Sequence, residues 1–172
     1  MEKQLTVLEG VEVEISGKKV RVKGKQGTLE RTFTYFYDIK IVEEGGTVKV
    51  STTSEERRAK AMVGTIIAHI RNMAIGVSQG YTRRMRVIYS HFPMSVKVEG
   101  DKIFITNFIG EKTPRVSKII GGTKVDVQGQ EITVRGLNKE EVGQTCLNME
   151  HTCRITKFDR RIFQDGIYPV KD

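Results

Sequence analysis

Short runs in which apolar and polar residues alternate recur along the chain and predict β-hairpins. The first alternation is Val11-Glu-Val-Glu-Ile15, and a second, Val20-Arg-Val22, follows the turn residues Ser16-Gly-Lys18. Because side chains of a strand point alternately to its two faces, this pattern buries one face and exposes the other. The sequence therefore predicts a hairpin that covers a hydrophobic core.

The same pattern returns 83 residues later, from Val96 onward, where Gly100 corresponds to Gly17. A further strand pattern, Thr47-Val-Lys-Val50, returns as Glu131-Ile-Thr-Val134 at an offset of 84, so one residue has been inserted between the two patterns. Elements that recur in one order at a nearly constant offset indicate a duplicated domain.

Each half is also predicted to contain one amphipathic helix. In the first half, Ser54 is the predicted N-cap of a helix over 55–77, with Glu55 and Glu56 placed in its first turn, where negative charge suits the helix dipole. The apolar residues of this helix recur every three or four positions, which is typical of a stripe that faces a core. The stripe consists of Met62, Ile66, Ile70, Met73 and Val77.

In the second half, Asn138 is the predicted N-cap of a shorter helix, and Glu141 follows at the spacing of a capping box. Its apolar stripe consists of Val142, Cys146, Met149 and Cys153.

One helix per half can lie on each sheet and seal one of its faces, which predicts an α+β fold. We expect two tandem similar domains, each an antiparallel β-sheet structure packed on one main helix. The predicted boundaries are 1–82 for the first domain and 83–172 for the second. No linker rich in Pro, Gly or Ser separates them.

The chain has 172 residues, with 29 Lys and Arg against 21 Asp and Glu, so its net charge is +8. Residues 1–82 carry +3 of this charge and residues 83–172 carry +5. This excess of positive charge favours a polyanionic partner.

Cys146 and Cys153 are too far apart along a helix for a disulfide, which suits a reducing, cytosolic environment. No apolar run is expected to approach the roughly 20 residues of a membrane span.

Motifs for catalysis or cofactor binding are not evident. Gly17 and Gly24-Lys25 lack the spacing of a phosphate-binding loop. Cys146, His151 and Cys153 lack the paired spacing and fourth ligand of a zinc site. A small enzyme that uses His69, His91 or Glu140 remains an alternative, although nothing in the sequence pairs these residues. We predict no cofactor, membrane contact or small-molecule substrate.

The basic residues of the second half form three clusters that can reach phosphate groups. They are Arg83, Arg84 and Arg86; Lys112, Arg115 and Lys118; and Arg154, Lys157, Arg160 and Arg161. Aromatic residues interleave the last cluster as Phe158, Phe163 and Tyr168, where stacking on bases and packing in a core are both open. The physical reading favours a nucleic-acid-binding module without specifying the nucleic acid.

A family resemblance rests on several segments that occur in order along nearly the whole chain. They are Lys23-Gly-Lys-Gln-Gly-Thr-Leu29, Gly76-Val-Ser-Gln-Gly-Tyr-Thr-Arg-Arg-Met-Arg-Val-Ile-Tyr-Ser-His-Phe-Pro93, Asn107-Phe-Ile-Gly-Glu-Lys112, Leu137-Asn-Lys-Glu-Glu-Val-Gly-Gln-Thr145 and Phe163-Gln-Asp-Gly-Ile-Tyr168. The chain resembles the universal large-subunit ribosomal protein family, counted as number six in bacteria and number nine in eukaryotes, in its archaeal and eukaryotic branch.

This resemblance implies a structural constituent of the large ribosomal subunit, not an enzyme, that binds rRNA near the sarcin-ricin loop and the stalk base. It implies a cytoplasmic location, neighbouring ribosomal proteins, translational GTPases nearby, and roles in subunit assembly and the translation-factor site. The second domain would be the main rRNA-binding domain. Lys112, Asp165, Gly166 and Tyr168 match family positions. Arg115, Lys118, Arg154, Lys157, Arg160 and Arg161 are proposed contacts from charge alone. A free-standing RNA-binding module with the same fold is the main alternative.

Overall fold

The computed structural model describes residues 1–35 and 37–170 and divides into two units, Met1–Gly80 and the residues from Tyr81 onward. The elements of the first unit are β1 (Glu2–Thr6), β2 (Glu12–Ser16), β3 (Lys19–Gly24), β4 (Gly27–Thr32), β5 (Ile39–Glu44), β6 (Thr47–Thr52) and α1 (Arg57–Ser78). Those of the second unit are β7 (Tyr81–Ile88), β8 (Ser95–Glu99), β9 (Lys102–Thr106), a short 3-10 helix (Phe108–Gly110), β10 (Arg115–Lys118), β11 (Lys124–Gln128), β12 (Glu131–Gly136), α2 (Lys139–Thr152) and β13 (Gly166–Pro169).

The first unit consists of two three-stranded antiparallel sheets, with strand orders β1-β6-β5 and β2-β3-β4. Helix α1 packs against strands of both sheets. Alternate residues of the two central strands are fully buried beneath it: Val20 and Val22 in β3, and Val48 and Val50 in β6. Burying each such side chain contributes roughly 1.5–3 kcal/mol, so the period-two pattern supplies much of this core.

The second unit repeats this arrangement. Its sheets have strand orders β10-β9-β8 and β11-β12-β7-β13, and α2 packs against strands of both. Ile103 and Ile105 in β9 and Ile132 and Val134 in β12 are fully buried, at the offsets of 83 and 84 seen in the sequence. The predicted α+β fold of two tandem similar domains is therefore confirmed.

The two units differ at their C-terminal ends. At the offset of 84, Ser78 at the end of α1 corresponds to Ile162, but α2 ends at Thr152, ten residues earlier. The chain then forms a loop before β13, which pairs with the outer edge of β7. Pro169 is tolerated in β13 because an edge strand need not donate every ladder hydrogen bond.

Helix α1 starts two residues later than the sequence predicted. Glu56 occupies the N-cap position, and Ser54 Oγ accepts a hydrogen bond from the Glu56 N–H at 3.3 Å. The prediction that Ser54 caps the helix was wrong because Ser54 instead stabilises a turn that precedes it. Glu55 and Glu56 consequently lie before the first helical turn, and the dipole explanation for them was wrong as well.

The segment Gly24-Lys25-Gln26 lies against the C-terminal end of α1 and forms hydrogen bonds with it. The backbone N–H of Gln26 donates to the Val77 carbonyl at 2.9 Å, and its side-chain amide donates to the Gln79 carbonyl at 2.8 Å. A Cβ on Gly24 would lie 2.7 Å from the Val77 carbonyl oxygen, so only glycine permits this approach. The segment caps the last carbonyl groups of the helix.

Helix α2 begins at the predicted cap. Asn138 Oδ1 accepts the Glu140 N–H at 3.0 Å, and the Asn138 amide donates to Glu141 Oε1 at 3.1 Å. Glu141 Oε2 also accepts the Gly122 N–H at 3.2 Å. Glu141 thus joins the helix start to the loop before β11, rather than forming the predicted capping box.

The buried face of α2 consists of Val142, Thr145 and Met149, and Cys146 is only half-buried. The Thr145 hydroxyl accepts the Ile120 N–H at 3.1 Å, which satisfies a polar group in the core. Cys153 is buried, but it follows the helix as its C-cap residue.

The boundary between the units lies between Gly80 and Tyr81, whereas the sequence placed it between 82 and 83. Strand β7 already begins at Tyr81, which pairs with Gly136 of β12, so residues 81 and 82 belong to the second sheet. Residue 36 of the predicted first domain and residues 171 and 172 of the second lie outside the described residues.

By length and composition α1 is able to span a membrane, since one 18-residue window has a mean hydropathy of 1.2. The expectation that no apolar run approaches this length was therefore wrong. Its apolar residues, including Val63, Ile66 and Ile70, lie in the core of the first unit. A helix that contacts two sheets needs a broad apolar face, which explains the high hydropathy.

Candidate nucleic-acid interface

The chain between α2 and β13, which we call the basic loop (residues 153–165), carries the largest of the three predicted basic clusters. Asp159 organises its turn: Asp159 Oδ1 accepts the Arg161 N–H at 2.9 Å, and its carbonyl accepts the Phe163 N–H at 2.9 Å. Residues 156–162 are all exposed. Asp159, the single acidic side chain of this exposed stretch, therefore accepts a hydrogen bond from the backbone of the loop itself.

The basic loop borders an open pocket of about 450 Å³ on the second unit. Arg154, Arg160, Arg161 and Tyr168 line it, together with His151, Phe163 and others, while Glu150 is its one acidic member. The structure thus brings four of the predicted contacts together. A concave surface lined by three guanidinium groups has the charge and donor geometry that phosphate oxygens require.

Lys157 projects from the same loop and is exposed. In the part of the chain that the structure describes, neither Lys157 nor Arg154, Arg160 or Arg161 forms an ion pair. Among the described residues, no carboxylate within ion-pair distance would therefore have to be displaced from them by an external anion.

Arg115 differs from the other predicted contacts because its guanidinium is bound within the protein. Nε and one terminal nitrogen donate to the two carboxylate oxygens of Glu111 at 2.8 and 2.7 Å. The other terminal nitrogen donates to the carbonyls of Thr152 and Arg154 at 2.7 and 3.2 Å. The group also lies 4.3 Å over the Phe108 ring. These contacts tie the start of β10 to the start of the basic loop.

This pairing changes the titration of both groups. Hydrogen bonding from Arg115 lowers the pKa of Glu111 against the opposing effect of burial, and the nearby charge of Lys157 lowers it slightly further. The Glu111 carboxylate in turn raises the pKa of Arg115. Both groups are charged at neutral pH.

The remaining predicted cations are exposed but lie outside the pocket. Lys112 follows the 3-10 helix, and Lys118 ends β10 next to the α2 side chain of Asn148, which donates to the Lys118 carbonyl at 3.1 Å. Arg84 and Arg86 are exposed on β7, and Arg86 lies directly opposite Tyr168 of β13.

Three aromatic rings form a row, and two of them, Phe158 and Phe163, belong to the basic loop. The rings of His91 and Phe163 are stacked with centroids 4.4 Å apart, and the Phe163 and Phe158 centroids are 4.7 Å apart. Phe163 is half-buried against the core, but Phe158 is 48% exposed. The Tyr168 hydroxyl donates to the Gln164 carbonyl at 3.2 Å.

Asp165, at the end of the loop, is buried to 1% exposure and anchors the segment before β8. Its carboxylate accepts the Ser90 N–H at 3.1 Å and lies 3.4 Å from His91 Nδ1. Sequence reasoning included both residues in family-like segments but did not pair them. His69, in the first unit, lies with Nδ1 3.2 Å from Arg31.

The cysteines are not placed for nucleophilic or metal chemistry. Burial raises the pKa of the Cys153 thiol to about 12 and also raises that of Cys146. Within residues 1–35 and 37–170, no group of three or more His, Cys, Asp or Glu side chains could hold a metal ion.

A larger groove of about 720 Å³ lies between the edge strands β8 and β11. Its charged lining residues are Lys97, Glu99 and Asp126, so it lacks the positive excess of the basic loop. The pocket beside the basic loop is consequently the better candidate for a polyanion.

Comparison with known proteins identifies a family for the whole chain. The family model described as "Ribosomal protein L6" matches residues 8–80 and 92–166, one segment in each unit. The chain is 52% identical to the large ribosomal subunit protein uL6 of Methanosarcina mazei over 167 residues, covering 97% of this chain and 94% of the relative. It is 51% identical to uL6 of Ignicoccus hospitalis, covering 94% and 89%.

Proposed function

Because this chain belongs to the ribosomal protein L6 family, we propose that its basic loop binds large-subunit rRNA near the sarcin-ricin loop and the stalk base. The chain is a structural constituent of the large subunit of the cytoplasmic ribosome, where it associates with rRNA, and it is not an enzyme. The resemblance seen in the sequence is confirmed by these relatives.

The observation that carries the proposal is the group of four exposed cations in one short loop, three of which border the same pocket. Arg154, Lys157, Arg160 and Arg161 are assigned to phosphate groups. Each contact with a phosphate releases condensed counterions, so affinity falls steeply with salt. Folded RNA presents its phosphates in a fixed shape, which a pocket selects better than a flat surface does.

The other predicted contacts take supporting roles. Lys112, which precedes β10, and Lys118, its last residue, are exposed and are assigned to further phosphate groups. Tyr168, at 39% exposure, lies at the edge of the pocket. Arg115 is assigned to positioning the loop, since its hydrogen bonds are made within the protein.

Binding of the basic loop to rRNA would also support assembly of the subunit and stabilise the site at which translational GTPases act. The second unit would supply the main rRNA contacts, and neighbouring ribosomal proteins at the stalk base would complete the surroundings. The charge excess of the second half supports this division of labour.

The test is binding of the purified protein to an rRNA fragment that contains the sarcin-ricin region, with an unrelated folded RNA as control, across a salt series. Simultaneous charge reversal at Lys157, Arg160 and Arg161 is expected to weaken fragment binding strongly. It should also reduce the salt slope by about 0.7–0.9 for each phosphate that the variant no longer neutralises.

A matched variant reverses three exposed lysines of the first unit, Lys25, Lys40 and Lys60, and so changes the net charge equally. If both triple variants weaken binding to the same degree, attraction by net charge alone explains the result and the basic loop is not the site. Circular dichroism and thermal unfolding of both variants show whether the fold is retained.

A further inference from the structure

A row of three aromatic rings joins the basic loop to the segment before β8. His91, Phe163 and Phe158 follow one another at 4.4 and 4.7 Å between centroids, with interplanar angles of 27° and 35°. The His91 and Phe163 rings are stacked, and the Phe163 and Phe158 rings are tilted but in contact. The row therefore presents aromatic faces in sequence, with Phe158 as its outermost member.

The two phenylalanines differ in what holds them. Phe163 packs against the hydrophobic core of the second unit, and the His91 at its other side is fixed by Asp165. Phe158 contacts Phe163 yet remains 48% exposed, in a loop stretch whose residues 156–162 are all exposed. Packing against the core accounts for Phe163 but leaves much of the Phe158 surface in water.

The surroundings indicate what kind of ligand this surface suits. Phe158 follows Lys157 directly and precedes Arg160 and Arg161 by two and three residues. Phe163 itself lines the pocket that Arg154, Arg160 and Arg161 border. An aromatic face flanked by cations matches a nucleotide, whose base is flat and apolar and whose phosphate is anionic.

We propose that Phe158 extends this row by stacking on an unpaired base of the bound RNA, while the adjacent cations hold the flanking phosphates. The site rests on the proposed function, since it assumes that the basic loop faces RNA. It adds a contact that is insensitive to salt and that requires a base outside a duplex, where its face is accessible.

The test compares Phe158→Leu, which keeps an apolar side chain against Phe163, with Phe158→Trp, which keeps an aromatic ring. Leu147→Ala, at an exposed apolar residue of α2, is the matched control. Affinity for the sarcin-ricin fragment is measured across a salt series. We expect Phe158→Leu to weaken binding roughly 5- to 100-fold with an unchanged salt slope, the range typical of losing one stacked base. Phe158→Trp and Leu147→Ala should bind like the unaltered protein.

A second measurement replaces each unpaired nucleotide of the fragment, one at a time, by an abasic one. At one position the difference in affinity between the unaltered protein and Phe158→Leu should disappear, because the stacking partner is already missing. The stacking site is excluded if Phe158→Leu binds normally, if Phe158→Trp binds as weakly as Phe158→Leu, or if no abasic position cancels the difference. A failure of the proposed function is separate, since it appears in the charge-reversed triple variant, either as normal binding or as a loss equal to that of the matched first-unit variant.

Discussion

Arg115 donates to both carboxylate oxygens of Glu111, at 2.8 and 2.7 Å, in the parallel two-bond geometry that guanidinium and carboxylate groups favour. The same guanidinium donates to the carbonyls of Thr152 and Arg154. Residue 115 therefore connects β10 to the point at which α2 gives way to the basic loop. We infer that the pair sets the direction in which the loop leaves the helix.

Glu111→Gln distinguishes whether Arg115 positions the loop or contacts phosphate, because the two roles predict opposite effects on RNA binding. If the guanidinium positions the loop, the loss of one strong acceptor should lower the free energy of unfolding by about 0.5–1 kcal/mol and weaken RNA binding. If Arg115 instead contacts phosphate, removal of the negative charge should tighten binding. Glu99→Gln, at an exposed carboxylate on β8, controls for the change in net charge.

The Glu111 and Arg115 pair also predicts a pH dependence of stability. The folded-state pKa of Glu111 lies below the ordinary value of 4.5, so the ionised Glu111 carboxylate stabilises the fold above that pH. The contribution is lost as the pH falls through the folded-state pKa. Denaturant unfolding between pH 3 and 7 should therefore show a difference between the unaltered protein and Glu111→Gln that shrinks below about pH 4.5. A constant difference would contradict the assignment.

Gly121→Ala is expected to loosen the start of α2. Gly121 has φ +60°, a backbone conformation that side-chain-bearing residues rarely adopt, and a Cβ there would also displace the Glu141 carboxylate. We expect a loss of roughly 1–3 kcal/mol in the free energy of unfolding, measured by urea denaturation, because the backbone is strained and Glu141 loses its hydrogen bond from Gly122. The neighbouring Gly122→Ala meets no atom within 4 Å and should cost far less. Equal effects at the two positions would contradict the strain assigned to Gly121.

Asp165→Ala should destabilise the second unit while leaving the first unit intact. The substitution removes a buried carboxylate that accepts the Ser90 N–H and contacts His91, which costs about 1.5–3 kcal/mol. Asp165→Asn keeps the shape and one acceptor oxygen, so a smaller loss is expected. Hydrogen exchange followed by mass spectrometry locates the effect, and faster exchange confined to the first unit would refute it.

The cysteines should react at different rates with an alkylating reagent. Cys146 is half-buried, whereas Cys153 is buried and has a thiol pKa of about 12, so little thiolate forms there near neutral pH. At pH 8, iodoacetamide should label Cys146 first in the folded protein. The two should react at similar rates in denaturant, as peptide mass spectrometry can measure. Faster labelling of Cys153 in the folded state would contradict its burial.

The sequence predicted the fold well where a local pattern and a buried surface coincide. Val20 and Val48 follow the strand period, and their repeats at Ile103 and Ile132 made the duplication visible. The start of α1 was missed because Ser54 has two local options, capping a helix or closing a turn, and its contacts with neighbouring residues decide between them.

The candidate site was predictable in composition but not in role. Charge alone identified the basic loop, yet it grouped Arg115 with residues that face solvent. The difference depends on contacts with Glu111, four residues away, and with Thr152, which is 37 residues away and approaches only in the folded chain. The exposure of Phe158 likewise depends on the path of the loop, which neither hydropathy nor periodicity specifies.

Because α2 ends early, the amino-acid sequence of the loop that follows it can vary more freely than that of a helix. Core residues such as Met149 and Ile167 lie on either side of the loop, and residues 156–162 between them are exposed. Substitutions at exposed positions usually alter stability by less than about 0.5 kcal/mol. Selection can therefore adjust the chemistry of this stretch almost independently of folding, while the corresponding part of the first repeat, which is helical, stays constrained by its packing.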